Sequence, residues 1–191
     1  MSVGGGVFVD NQQMNGVHGY AGEFGHMVVN PAGERCGCGR IGCWETEVGE
    51  LHIARRIIRE IENGVESTLS RLLVDGPSAL TISAIVQAVE DNDALATTML
   101  GQLREMLGLG LANLVNIFNT DMIVLGGVFR SLRSTDFEII NAIVEREALA
   151  GSTVDLQILP ARIDMNDACV LGAAALILDD ILRVPAFSAF R

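Results

Sequence analysis

The sequence predicts an α/β fold, with strands first and helices later. Three observations carry that prediction. Apolar residues alternate weakly with polar ones before residue 30, stripes of helical period run from residue 44 onward, and two short apolar strands sit between helices near the C-terminal end. Residues 3–9 and 12–17 flank Asp10-Asn11, a turn pair, and predict a hairpin. Residues 25–30 read as a third strand. Trp44 to Glu62 reads as a helix, with Val48, Leu51, Ala54, Ile57, Ile58 and Ile61 on one stripe and Asn63-Gly64 as the stop signal. Residues 65–80 form a polar connection containing Asp75-Gly76-Pro77.

Thr81 caps a short helix to Glu90, and Asn92 or Asp93 opens a long one. Leu95, Met99, Leu103, Met106, Leu107, Leu111, Leu114 and Phe118 make the inward face of that long helix. Gly101, Gly108 and Gly110 within it predict close approach of another element. Asp121 to Gly127 is a short strand ending in two glycines, followed by a helix over 135–149 and a strand over 153–159. The final helix, 166–183, starts at Asn166 as its cap. It is apolar almost all round until Asp179, so burial on several sides is expected, with Cys169 in the core. Without a repeat, low-complexity tract or linker, residues 1–191 read as one domain.

Composition narrows the function. The chain has 191 residues, 49% of them apolar, enough for a sizeable core. Thirteen basic residues, all arginine, stand against 24 acidic ones for a net charge of −11. An acidic surface argues against this polypeptide gripping nucleic acid itself. The longest apolar run, Ala168 to Leu178, is shorter than a membrane span, and no basic stretch leads an apolar segment at the N-terminus. A cytoplasmic location without membrane contact is expected.

The cysteines carry the chemistry. Cys36, Cys38 and Cys43 crowd into the stretch Cys-Gly-Cys-Gly-Arg-Ile-Gly-Cys, too close for partners in a disulfide scaffold but suited to one soft metal ion. His26, across a turn marked by Asn30, Pro31 and Gly33, is the natural fourth ligand, and Gly37, Gly39 and Gly42 let the backbone fold tightly. Four protein ligands leave no open position, so a zinc ion here is expected to be structural.

Gly22-Glu23-Phe24-Gly25-His26, then nine residues, then Cys36-x-Cys38-Gly-x-x-Gly-Cys43-x-Glu45, closely resembles the signature of the ROK family. That family comprises bacterial sugar kinases and sugar-responsive transcriptional repressors of two-lobed actin/hexokinase-like (ribonuclease H-like) fold. Val3-Gly4-Gly5-Gly6-Val7 looks like its glycine-rich turn. The stretch 16–23 looks like its lead into the sugar site, Ile123 to Gly127 like its second glycine turn, and Leu171 to Ala175 like part of its final helix. The resemblance covers the family's C-terminal lobe only.

It implies that His26, Cys36, Cys38 and Cys43 bind zinc, and that Glu23, His26 and Glu45 hydrogen-bond sugar hydroxyls. Gly126 and Gly127 would face a nucleotide, a weaker signal because a lone Gly-Gly also makes an ordinary tight turn. Glu47, Glu50, His18 and His52 have no such support. The two glutamates are expected at exposed positions in the first turns of a helix, and the two histidines at surface or structural ones.

The family's catalytic aspartate belongs to the other lobe. Asn166-Asp167 has matching letters but reads as a helix cap, so this chain is not expected to phosphorylate sugar, and ATP with Mg would matter only to a kinase parent. The Gly-Gly-Val-Phe turn and the tail Leu182 to Phe187 lean toward the repressor branch. A repressor would bind DNA through a helix-turn-helix lying upstream, bind a sugar or sugar phosphate here, and dimerise through its apolar helices. A C-terminal half of a glucokinase-like enzyme and a purely structural zinc-stapled oligomerisation domain are the alternatives.

Overall fold

The computed structural model describes residues 2–183, apart from the side chains of residues 165, 166, 180 and 183. The tail from Val184 to Phe187, part of the case for a repressor, lies outside the described residues, as does the Asn166 side chain. The elements run in the order β1 (Phe8–Val9), β2 (Gln12–Gln13), α1 (Trp44–Val48), α2 (Glu50–Glu62), α3 (Ile82–Glu90), α4 (Ala94–Phe118), β3 (Met122–Leu125), α5 (Ser134–Glu147), β4 (Gln157–Pro160) and α6 (Met165–Arg183).

β1 and β2 form the expected hairpin, shortened to two pairs, Phe8 with Gln13 and Val9 with Gln12. Asp10 and Asn11 turn it with φ of 51° and 59°, the left-handed pair a tight hairpin of this hand requires. β3 pairs with β4 in parallel, Met122 opposite Gln157 and Leu125 opposite Pro160. The strand expected over 25–30 is absent. Phe24–His26 is a 3-10 turn, and Val28 makes only an isolated bridge, to Cys43.

α4 is the scaffold. Asp93 caps it by accepting from the Ala96 amide at 2.9 Å, and Asn119 ends it in the left-handed conformation. α1, α3 and α5 pack on it, so that Leu103, Leu107 and Leu111 are enclosed with Val48, Ile82, Ile140 and Val144. Burying side chains of this size contributes roughly 1.5–3 kcal/mol each. Gly110 explains how α1 gets so close: a Cβ there would lie 2.0 Å from the Trp44 ring, whose Nε1 donates to the Met106 carbonyl at 2.8 Å. Gly108 likewise lies against Ile143, whereas nothing comes within 4 Å of a Cβ at Gly101, against expectation.

Other expectations fail for physical reasons. The helix from Trp44 to Glu62 breaks at Gly49, whose backbone is extended (ψ 131°), giving two helices. The connection 65–80 is wound into 3-10 turns at Thr68–Asp75 and Pro77–Ala79, and it buries Leu69 and Leu80. The last helix opens at Met165, where Asp164 Oδ1 accepts from the Asp167 amide, so residue 166 lies inside the first turn rather than at the cap. No described element makes an extended contact with α6. Its apolar residues, Val170 at 70% exposure among them, and Cys169 are therefore exposed, not buried as the hydropathy implied. No described helix is long and apolar enough to cross a membrane.

Candidate functional site

The stretch from His26 to Cys43 contains almost no regular structure, yet it closes on itself. Arg35 bridges Ile41 and Val28 bridges Cys43, both antiparallel, which brings the two ends of the loop together. The Gly42 amide donates to the Glu34 carbonyl at 2.9 Å, and its own carbonyl accepts from Val29 and Asn30 at 2.9 and 3.2 Å. Gly42 has φ of 73°, and a Cβ there would lie 1.6 Å from the Asn30 oxygen, so this crossing admits only glycine. Gly39 also takes a positive φ, at 92°.

The closure gathers the four expected donors. His26, Cys36, Cys38 and Cys43 place one ligand atom each within 4.8 Å of one another, an arrangement that could hold a metal ion. The Cys36 Sγ lies 3.6 Å from His26 Nδ1, and the Cys38 and Cys43 sulfurs are 3.5 Å apart. Cys36 and Cys43 are buried and Cys38 is exposed. The Arg40 backbone amide, hydrogen-bonded to the Cys38 sulfur, outweighs its desolvation and lowers that thiol's pKa to about 6. Burial pushes Cys43 up to about 12. One sulfur is thus readily a thiolate, and the other resists charging without a cation beside it.

The imidazole of His26 has two faces. Nδ1 looks into the sulfur cluster, and Nε2 lies 3.8 Å from the Glu23 carboxylate, which is 59% exposed. Glu45 sits in the first turn of α1, which packs against the Phe24–His26 turn. One of its carboxylate oxygens accepts from the Val3 amide at 2.9 Å, tying the glycine-rich N-terminal segment to α1. Glu23 and His26 are therefore neighbours at 3.8 Å, beyond hydrogen-bond distance, while Glu45 reaches the neighbourhood through the packing of the elements that carry them.

Glu47 and Glu50 correct the sequence reading. Glu47 is only 6% exposed; it accepts from Asn30 Nδ2 at 3.0 Å and from Arg56 Nη1 at 3.1 Å. Glu50 accepts from the Ile82 amide at 2.9 Å and so caps α3. A signal for Glu47 was present in α1: it lies three residues past Trp44, on the same helical face as that buried ring. His52, 3.6 Å from the Glu34 carboxylate, is structural, and His18 is exposed.

Gly126 and Gly127 line a cavity of about 750 Å³ together with the segment 2–8 and Leu107, Leu111, Leu114 and Phe118 of α4. Gly127 has φ of 59° and opens a short 3-10 turn. The cavity is mainly apolar, and both glycine-rich stretches line it.

The family model of the ROK family matches residues 2–180. The chain is similar to the xylose repressor of Caldicellulosiruptor bescii (28% identical over 188 residues, 98% of this chain and 46% of that protein). It is also similar to a glucokinase of Halalkalibacterium halodurans (34% over 176 residues, 92% of this chain and 53% of that protein). Among solved structures, a ROK family glucokinase from Streptomyces griseus in complex with glucose and AMPPNP superposes with a TM-score of 0.71. It is 28% identical, over 85% of this chain and 53% of that one. The chain spans about half the length of these relatives. With the motif, the fold and the match in agreement, the chain belongs to the ROK family.

Proposed function

We propose that this chain is the zinc-stapled, sugar-binding lobe of a ROK-family transcriptional regulator. The observation that carries the reading is the double engagement of His26, with Nδ1 toward the cysteine sulfurs and Nε2 toward Glu23. Zn–S bonds of about 2.3 Å and Zn–N bonds of about 2.0–2.1 Å place tetrahedral ligand atoms roughly 3.5–3.8 Å apart. The 3.5 and 3.6 Å separations lie near that edge length, and all four donor atoms are within 4.8 Å of one another. Zinc when bound supplies a fixed, charge-compensated anchor and no open coordination site.

With Nδ1 committed to the metal, the neutral ring carries its proton on Nε2, which donates toward a ligand hydroxyl while Glu23 accepts from a neighbouring one. Glu45, two residues past the last cysteine, adds a second carboxylate whose position depends on the same loop. Vicinal hydroxyls on a sugar ring match an alternation of one donor and two acceptors. In a regulator, effector binding at this lobe would bias the arrangement of the lobes and so the spacing of DNA-binding heads carried elsewhere in the protein. The apolar surface of α6 is suited to contact with a second copy or another lobe.

The kinase reading stays as the second, favoured by the similarity to glucokinases; there the Gly126-Gly127 turn would face nucleotide phosphate. Metal content of the purified protein, followed by sugar titration of wild type and His26→Ala, tests the proposal. About one zinc per chain, lost together with sugar binding in the variant, is the expected result. Sugar binding unaffected by His26→Ala would remove the assignment. ATP turnover by the full-length protein would transfer it to the kinase branch.

A further inference from the structure

We propose that Cys38 is an oxidation site, at which a peroxide converts the Cys38–Cys43 pair to a disulfide and expels the metal ion. The inference rests on the metal-site reading above and adds a mode of regulation to it. Of the three clustered sulfurs only Cys38 is exposed, so an oxidant from solvent meets it first. Its nearest sulfur is that of Cys43, at 3.5 Å. A disulfide needs about 2.05 Å, a closure on the order of 1.5 Å. Four residues separate the pair, and the first and last of them, Gly39 and Gly42, are both at positive φ. Cys36 is the poorer partner, because its sulfur is turned toward His26 and its amide and carbonyl are both held, by Arg40 and Gly39.

The chemistry balances with hydrogen peroxide as the oxidant. The Cys38 thiolate attacks one peroxide oxygen, an S–O bond forms, the O–O bond breaks and hydroxide leaves. The Cys43 thiolate then attacks the Cys38 sulfenic sulfur, the S–S bond forms and a second hydroxide leaves; two protons from solvent convert both hydroxides to water. The sulfurs lose two electrons and the peroxide gains them. His26 and Cys36 alone are too few ligands to retain zinc. Cys43 is the residue immediately before α1, so the change is delivered directly to the helix bearing Trp44 and Glu45 and, through the freed imidazole, to the Glu23–His26 pair.

The test starts from protein whose zinc content has been measured. Hydrogen peroxide is added at a few equivalents while a chromophoric chelator reports released zinc, a thiol reagent counts free cysteines, Trp44 fluorescence is followed, and peptide mapping locates any disulfide. Release of about one zinc per chain is expected, with a fall from four free thiols to two and a Cys38–Cys43 linkage reversed by dithiothreitol and added zinc. In Cys169→Ser, which removes the other exposed thiol, zinc release should be the same and thiols should fall from three to one. Zinc-loaded protein that keeps its metal while only Cys169 is modified would overturn the proposal and leave the metal site standing, as would a Cys36–Cys43 linkage. Protein that binds no zinc at all overturns the metal reading and the release with it.

Discussion

Glu47 is the residue on which the metal loop is hung, and replacing it by alanine should show this. Its carboxylate is buried between Asn30, which starts the turn leading to the cysteines, and Arg56 of α2, itself only 14% exposed. Removing one partner of a buried ion pair costs about 3–5 kcal/mol because the other charge is left uncompensated. Arg56 keeps its bond to the Glu47 carbonyl, at 2.6 Å, which argues for the low end. Asn30 loses a neutral hydrogen bond, about 1 kcal/mol. A destabilisation of about 3 kcal/mol follows, or roughly 6–12 °C in Tm for a chain of this length. Glu47→Gln, which can still accept from Asn30, should cost less than half as much. Zinc should also be held more weakly in Glu47→Ala, since the Asn30 turn joins His26 to Cys36. Thermal unfolding monitored by circular dichroism, with zinc content measured on the same samples, is the assay. Glu62→Ala, at an exposed position ending α2, is the reference. A Tm within about 2 °C of wild type with full zinc occupancy would refute the reasoning and restore Glu47 to the solvated surface.

Metal removal should act on the same region: chelation, or Cys43→Ala, should lower stability by several kcal/mol and shift Trp44 fluorescence, because the loop has little backbone structure of its own. Asp93 offers a pH test. Burial works to raise its pKa, but the Ala96 amide, the Thr68 hydroxyl and amide and the Ser67 hydroxyl outweigh it, so the folded pKa lies below the unfolded one. Its stabilising effect is then fully present above the unfolded value of about 4 and is lost as pH falls through the folded one. Asp93→Asn should cost about 2 kcal/mol at pH 7, and the difference from wild type should shrink on acidification below pH 4; a constant difference would exclude the charge as its source. Two helix glycines should separate by sign in urea unfolding. Gly110→Ala should destabilise by about 1–3 kcal/mol through the Trp44 ring, whereas Gly101→Ala should stabilise by up to about 1 kcal/mol.

What the sequence made legible follows the range of the interactions. The His26 and cysteine set is specified by types and spacings within eighteen residues, and the loop closes over the same span. The hairpin turn at Asp10-Asn11 and the caps at Thr81 and Asp93 were equally local, each resting on one side chain and the backbone beside it. The strand over 25–30 was misread because Met27 and Val29 are partly covered by packing against the core rather than by pairing, while Val28 is exposed and makes only an isolated bridge. Glu47 was misread because a charged side chain was weighed by type before position. Its partners lie seventeen residues before and nine after, beyond any helical neighbour rule. For α6 hydropathy predicts what the helix would gain by burial, and the described residues supply no neighbour to bury it.

Under the proposed function, the arrangement gives a reason for using a metal in a chain that otherwise builds a good core. A sugar contact needs polar side chains held without regular structure beneath them, because hydroxyls must reach both a donor and acceptors at one edge of the domain. Backbone ladders cannot supply that rigidity between residues 26 and 43, where the described pairing amounts to two isolated bridges. Apolar packing would not supply it either, because a Glu23 that contacts sugar has to stay as exposed as it is here. On the proposed reading, four coordinate bonds to one ion would do so with the fewest residues, and His26 as a ligand would make the staple and the recognition surface share a ring. The same economy would create the proposed vulnerability at Cys38, since a ligand sulfur at the solvent edge would fix the loop only while it remains reduced. Stability of the loop, recognition of a sugar and sensitivity to oxidant are on this argument one property measured in three ways. Perturbing any one of them through Cys38, Cys43 or His26 should move the other two in the same direction.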